Sequence, residues 1–368
     1  MASISVQNLR KLHGSHVAVE DLTLDVPDGH FMVLLGPSGC GKTTTLNCIA
    51  GLETVTDGRI LFDDNDVTGF PPHQRNIAMV FQSALLYPHL TARQNIVMSL
   101  KRSGLAREEQ GQRVVESARI LGIEALLDKM PSQMSGGERQ RVATAKAIVR
   151  QPGAFLMDEP LSALDAALRL TLRSEIVNLQ KTLATTMIYV THDQTEAMTM
   201  GDQIAVMKDG LLEQVGTPDD IYHQPETLFV AGFVGTPPMN FLEGELTQRD
   251  GVLALVSEQR TFTLPWASLT VSDTNGGRFC LGIRPQHLTL SQDDGAEAIP
   301  ATVFALERLG KESIVILETS HQEKIRVIVD PQFSTHVGER LFVRLDARQG
   351  FLFNLGTGRK EAVASGSQ

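Results

Sequence analysis

Between Gly36 and Thr43 the chain reads GPSGCGKT, which places glycines, a lysine and a hydroxyl at the spacing G-x-x-x-x-G-K-[ST]. That spacing suits a triphosphate. The glycines let backbone N–H groups turn inward around phosphate oxygens, and a helix starting there adds the partial positive charge of its N-terminus. Lys42 is set to meet the β- and γ-phosphates, and the Thr43 hydroxyl to bind Mg²⁺. The expected cradle is Gly36, Pro37, Ser38, Gly39, Cys40, Gly41, Lys42 and Thr43, with Thr44 next along the helix. A second stretch, AFLMDEP (Ala154 to Pro160), closes an apolar run with two carboxylates. Acids at the carboxyl end of a parallel strand lie beside a ligand crevice. Asp158 there fits the orienting of Mg²⁺, and Glu159 the polarising of an attacking water. His192 follows the apolar run TTMIYVT and reads either as a polar strand end or as a donor toward a γ-phosphate. Gln82 has the same dual reading, because a glutamine ending a strand can offer its carbonyl oxygen to Mg²⁺.

Ser135-Gly136-Gly137 stands before ERQRVATAKAIVR, whose Val142, Ala145 and Val149 mark a buried helix face. Two readings stay open. The stretch is an ordinary helix cap, or it is a second anion cradle. The first loop already surrounds one triphosphate within its own domain. The second reading therefore assigns the stretch to another subunit's nucleotide, with two ATPs between two copies related head to tail.

These side chains need elements to hold them. HFMVLLG before the loop, AFLMD and TTMIYVTHD are short apolar strands of the buried type, and GKTTTLNCIAGL follows the first as a helix. Between the last two lies an amphipathic helix with Leu168, Leu172, Ile176 and Leu179 on one face. Strands alternating with helices predict a parallel sheet covered on both faces. RVVESARILGIEALLD (Arg113 to Asp128) reads as a further helix within a helical subdomain at about 88–150. In SALLYPHL, the residues Leu85, Leu86, Tyr87 and Leu90 suit either a docking groove or a core. The pattern changes near Pro237-Pro238. Short strands follow: TFTLP, RFCLGIRP, ATVFALERLG, SIVILETS, KIRVIVD, RLFVRLD and FLFN. The expected division is 1–235 for the α/β domain and 236–368 for an all-β domain, with a frayed tail GTGRKEAVASGSQ.

The 368 residues carry a net charge of −10, which weighs against a nucleic-acid surface. No apolar run reaches the roughly 18 residues of a spanning helix. The start has no signal-peptide core, so the chain is expected in the cytoplasm. Cys40, Cys48 and Cys280 are widely placed and predict neither disulfides nor a zinc site.

Taken in order, GPSGCGKT, the FQ ending at Gln82, MSGGERQ, LMDEP, SALD and THD resemble the ATP-binding-cassette ATPases over nearly the whole chain. The resemblance implies that Ser135, Gly136, Gly137 and Glu138 close over ATP held by the partner subunit. It makes Gln82 a lever between nucleotide and transmembrane partner, Glu159 the catalytic base, His192 the switch residue and Asp165 part of a loop linking two active sites. FQSALLYPHLTARQNI, YVTHDQTEAMTMGD, GTPPMNF and LGIRPQHL are most similar to ATPase subunits of bacterial carbohydrate importers, such as those for maltose, trehalose or glycerol phosphate. That similarity implies a homodimer on the cytoplasmic side of the inner membrane, with two permease subunits and, indirectly, a solute-binding protein. It also implies a P-loop NTPase fold followed by an OB-like regulatory β domain without a nucleic-acid role. Three positions depart from the family's pattern. His13 stands where an aromatic usually stacks on adenine, beside Val17. Met134 replaces a leucine and can fill the same apolar gap. Glu138 replaces a glutamine and is expected to meet ribose rather than phosphate. Importers of polyamines, iron or anions have similar layouts. A soluble ATP switch would bring a coiled coil or a second cassette, and the sequence has neither; a purely regulatory module would not need Lys42, Asp158 and Glu159.

Overall fold

The computed structural model describes residues 2–101, 103–162, 164–249, 252–257, 261–264, 277–294 and 297–363. They fall into two compact units, Met1–Asp220 and Ile221–Gln368.

In the N-terminal unit the strands are β1 Ile4–His13, β2 His16–Val26, β3 Phe31–Leu35, β4 Asp57–Phe62, β5 Asn65–Asp66, β6 Ile77–Val80, β7 Ala154–Asp158, β8 Thr186–Thr191, β9 Gln203–Lys208 and β10 Leu211–Gly216. β3, β6, β7, β8 and β9 run parallel, in the spatial order β9-β3-β8-β7-β6, with β10 antiparallel at the β9 edge. β3 and β8 are buried at every position, as strands covered on both faces must be. β1, β2, β4 and β5 form a separate antiparallel sheet. Its inward residues Ile4, Val6, Leu9 and Leu24 share one core with Met32, Leu34, Leu156, Ile188 and Val190.

No simple alternation signals the β1–β2 hairpin. Asn8 and Asp21 adopt positive φ of 49° and 47°, and the pairing register shifts at three places. Helix α1, Lys42–Ala50, rises from the loop after β3. Its C-terminal carbonyls at Cys48 and Ile49 accept 2.7 and 2.9 Å bonds from the buried Arg75, which also donates to Phe70 O and Thr68 O. α2 Ala92–Met98, α3 Arg107–Ile120 and α4 Gly136–Ile148 form the helical part. The helix expected over 113–128 starts earlier and stops at Ile120, because Gly122 turns at φ +61° and a 3-10 turn follows at Glu124–Leu126. α5 Ala166–Leu183 and α6 Gln194–Met200 complete this unit, and α7 Pro218–His223 carries the division between units.

That division precedes residue 235. α8, Leu228–Phe233, donates from Leu228 N to Gly358 O at 2.8 Å, and its Ala231 packs with Met239, Cys280, Phe351 and Phe353. The C-terminal unit holds β11 Asn240–Arg249, β12 Val252–Val256, β13 Thr261–Leu264, β14 Arg278–Ile283, β15 Leu288–Ser291, β16 Ile299–Arg308, β17 Ser313–Thr319, β18 Lys324–Val329, β19 Arg340–Leu345, β20 Phe351–Asn354 and β21 Lys360–Val363. They pair antiparallel in two sheets, β13-β12-β11-β14-β20-β21 and β15-β19-β16-β17-β18. In β19, Leu341 and Val343 are buried while Arg340 and Arg344 are exposed, the period of a half-buried strand. The tail expected to fray begins instead as β21, paired to β20; residues 364–368 of that expectation lie outside the described residues.

Candidate active site

Four neighbouring parallel strands end on one edge of the sheet, where open α/β sheets hold ligands. β3 ends at Leu35 and delivers the loop 36–41; β8, its neighbour, ends at Thr191 and delivers His192. β7 ends at Asp158 and delivers Glu159; β6 ends at Val80, two residues before Gln82. The loop glycines are there for backbone shape. Gly41 has φ +100°, and a Cβ on it would strike Ala18 O, the carbonyl next to Val17. Gly210 N donates to Cys40 O at 3.1 Å and buttresses the loop from the β9–β10 turn.

Lys42 is 5% exposed, and its Nζ donates to Gly36 O and Pro37 O, both at 2.8 Å. Thr43 Oγ1 donates to Asp158 Oδ1 at 2.9 Å, so two hard oxygen ligands from distant segments meet at the helix start. Burial pushes the Asp158 carboxyl above its ordinary range, and the Glu159 charge adds to that push; the Thr43 bond and Lys42 oppose it. The pair suits Mg²⁺, which takes one or two protein oxygens and fills its remaining positions with phosphate and water.

Glu159 holds φ +42°, an uncommon conformation for a non-glycine residue, fixed by its N–H donating to Val190 O at 3.1 Å. Its Oε1 lies 3.0 Å from His192 Nδ1. Gln82 Nε2 donates to Ser162 Oγ at 3.0 Å, and Ser162 Oγ donates to Glu159 O at 2.9 Å. Ser162 is therefore a residue the sequence reading missed: nothing in its spacing signals that it couples Gln82 to the backbone of Glu159. Thr191 and Glu196 were also missed. Thr191 Oγ1 donates to the buried Glu196 Oε2 at 2.7 Å and accepts from Asp193 N at 3.0 Å, which pins the chain on both sides of His192. Tyr189 adds a second donor to the same carboxylate oxygen at 2.9 Å.

Ser135, Gly136 and Gly137 open α4 elsewhere. Ser135 Oγ accepts from Glu138 N at 3.3 Å, and Glu138 Oε2 accepts from Ser135 N at 2.7 Å, a reciprocal capping box. The Ser135 bonds hold the Glu138 carboxyl below its ordinary value. Met134 is buried at 5% exposure. Gly137 faces Leu168, and Gly136 faces Leu164. Asp165, between those leucines, caps α5 by accepting from Leu168 N at 3.0 Å. Among the described residues no hydrogen bond joins this helix start to the loop 36–44 of the same chain. His13 ends β1 with Nε2 3.3 Å from Glu53 Oε2, a charge contact the sequence did not indicate; Val17 pairs with Leu12 across the hairpin. Leu85 and Tyr87 are 55% and 45% exposed, so they are not core.

A loop of this form at the head of a parallel sheet, with paired carboxylates and a histidine on the same edge, defines a P-loop nucleotide hydrolase. Family models match as an ABC transporter at residues 19–162, a MalK OB fold domain at 235–288 and a TOBE domain at 281–353. The chain is 46% identical over 362 residues to the osmoprotective compounds uptake ATP-binding protein GgtA of Synechocystis sp., covering 96% of this chain and 98% of that protein. It is 45% identical over 367 residues to the sn-glycerol-3-phosphate import ATP-binding protein UgpC 3 of Rhizobium etli (98% and 99% covered). To the maltose/maltodextrin import ATP-binding protein MalK of Vibrio cholerae it is 43% identical over 357 residues (96% and 95%). Among solved structures, cbiO1 from Clostridium perfringens, part of the ABC transporter complex cbiONQ, superposes with a TM-score of 0.56 at 28% identity, covering 59% of this chain and 89% of that one. The chain belongs to the ABC transporter family and is an ATP-hydrolysing ATPase of the importer type, with MalK-type OB and TOBE modules in its C-terminal part.

Proposed function

We propose that two copies of this chain, related head to tail, bind two Mg-ATP between them and drive a pair of transmembrane permease subunits that import a sugar, polyol or glycerol-phosphate-like solute. The solute class follows from what the similar proteins are named for. The carrying observation is the shared sheet edge, where Thr43 meets Asp158 and Glu159 meets His192. Lys42 exchanges its loop carbonyls for β- and γ-phosphate oxygens. Thr43, Asp158 and the Gln82 carbonyl would hold Mg²⁺, which supplies charge neutralisation at the phosphates. Glu159 polarises the attacking water, and His192, on the same carboxylate, donates toward the γ-phosphate. His13, whose side chain is 49% exposed, offers its ring to adenine, with Val17 alongside.

Ser135, Gly136 and Gly137 act on the partner's nucleotide, and Asp165 beside them reports between the two sites. In this conformation Glu138 is engaged with the Ser135 backbone, so it reaches ribose only if the capping box opens. A cavity of about 220 Å³ lined by Phe81, Leu85, Ser99, Ala143, Lys146 and Arg150 is the proposed seat for a permease segment. The exposed Leu85 beside Lys146 matches an amphipathic occupant. Among the described residues no helix is long and apolar enough to cross a membrane, which fits attachment to the cytoplasmic face through that permease, with a solute-binding protein engaged only indirectly. Ser135→Arg tests the reading. Its bulk and charge fill the partner's phosphate site, so ATP-dependent dimerisation is lost while monomeric ATP binding persists; an unchanged dimer refutes the trans assignment.

A further inference from the structure

Arg169 is the fourth residue of α5 and brings a positive charge into the first turn of that helix, the end at which the macrodipole disfavours a cation. Helix stability therefore does not explain it. Its two terminal nitrogens hold two different segments. Nη1 pairs with Asp193 Oδ2 at 3.3 Å, and Nη2 donates to Leu164 O at 3.1 Å. The Arg169 and Asp193 side chains are 29% and 26% exposed, and an ion pair this open to water contributes little to stability.

Each of these segments adjoins a residue of the nucleotide machinery. Asp193 directly follows His192. Its Oδ1 caps α6 by accepting from Thr195 N at 2.8 Å and Glu196 N at 3.2 Å, and its Oδ2 takes Arg169. His192 itself stands with Nδ1 3.0 Å from Glu159 Oε1. Leu164 adjoins Asp165 and faces Gly136, as Leu168 faces Gly137. One planar guanidinium fork thus holds both the peptide beside the chain's own His192 and the segment against which the Ser135-Gly136-Gly137 helix start packs. A tie between α5 and α6 made for packing alone accounts for the Asp193 pair. It leaves unexplained the second arm, which fixes the loop carbonyl of Leu164.

We propose that Arg169 is a positioning residue for hydrolysis. It sets His192 against the Leu164–Asp165 segment, so that His192 is placed for its own site while that segment is seated against the helix start serving the partner's nucleotide. The inference rests on the trans reading given above for Gly136, Gly137 and Asp165. Arg169 acts on the reaction through Asp193 and His192. A misplacement of about 1 Å can cost about 10²-fold in rate, so release of the fork is expected to lower kcat roughly tenfold to a hundredfold.

The test compares the full-length parent with Arg169→Gln in steady-state ATPase assays. kcat falls at least about tenfold while the KM for ATP stays within about twofold, because the loop 36–43 keeps its contacts. Asp193→Asn, which keeps an oxygen for the α6 cap and removes the charge, gives the same split from the other end. In a His192→Gln background, Arg169→Gln lowers the residual kcat by less than about twofold, since the group it positions is already gone; a purely structural tie lowers kcat equally in both backgrounds. In a Glu159→Gln background, which binds ATP and turns it over slowly, Arg169→Gln leaves ATP-dependent dimerisation intact. Parental kcat in Arg169→Gln or Asp193→Asn, an undiminished loss in the His192→Gln background, or loss of the dimer overturns the proposal. Failure of the trans reading registers separately: Ser135→Arg then dimerises with ATP as the parent does, and a loss of kcat in Arg169→Gln still assigns Arg169 to His192 within one chain.

Discussion

Thr191→Val keeps nearly the shape of the side chain and deletes one hydroxyl that makes two bonds, one buried and one part-buried. The first is a 2.7 Å donation to Glu196 Oε2, and the second is a 3.0 Å acceptance from Asp193 N. Thr191 is 2% exposed and Glu196 3%, so water cannot replace the hydroxyl at the Glu196 carboxylate. A bond to a charged acceptor contributes about 1.5–3 kcal/mol and one to a backbone amide about 1 kcal/mol, giving an expected loss near 3 kcal/mol. Tyr189 retains its bond to Glu196, which caps the loss. The functional consequence falls on His192, whose peptide lies between the two freed anchors. Each 1.4 kcal/mol of lost positioning is about tenfold in rate. We therefore expect kcat to fall at least tenfold while the KM for ATP stays within about twofold, since the loop 36–43 is untouched. Thr191→Ser keeps the hydroxyl and recovers most of both quantities. Denaturant unfolding and steady-state ATPase assays on the three proteins decide the matter. A Thr191→Val protein within about 0.5 kcal/mol of the parent, with parental kcat, would show that the hydroxyl holds nothing that catalysis uses.

Glu159→Gln keeps ATP binding and slows turnover by about two to four orders of magnitude, the usual consequence of losing a general base; hydrolysis at the parental rate removes Glu159 from that role. Glu138→Gln keeps the capping-box acceptor but not the charge. Because the folded carboxyl sits below its ordinary value of 4.5, its contribution is present above that pH and is lost as pH falls through the folded value. The parent should therefore be more stable than Glu138→Gln at pH 7, and the difference should shrink as pH falls through the folded value, as read by denaturant unfolding across pH. Arg75→Met removes the donors to Cys48 O, Ile49 O, Phe70 O and Thr68 O, and should cost the N-terminal unit at least about 3 kcal/mol in denaturant melts.

Which parts of the site could be read from the sequence follows from where each residue's partner lies. The loop 36–43 and the Asp158-Glu159 pair announce themselves because each terminates a run of buried apolar residues, and a parallel strand must end at the ligand edge. Their neighbours in space are set by strand order, which the alternating pattern of strands and helices constrains. Ser162 lies 80 residues from Gln82, and Glu53 lies 40 from His13; neither pairing leaves a trace in local periodicity, because each is created by packing between segments. The β1–β2 hairpin escaped for a different reason. Its bulges at Asn8 and Asp21 break the alternation that would identify a strand, and those same bulges bend the hairpin. Ser135-Gly136-Gly137 marks the limit of sequence reading most clearly. A capping box and a trans phosphate cradle call for the same small residues ahead of the same helix, so the sequence supports both. The two uses are also physically compatible: the capping box engages the Ser135 N–H and the Glu138 N–H, which leaves the N–H groups of Gly136 and Gly137 for a partner's phosphate.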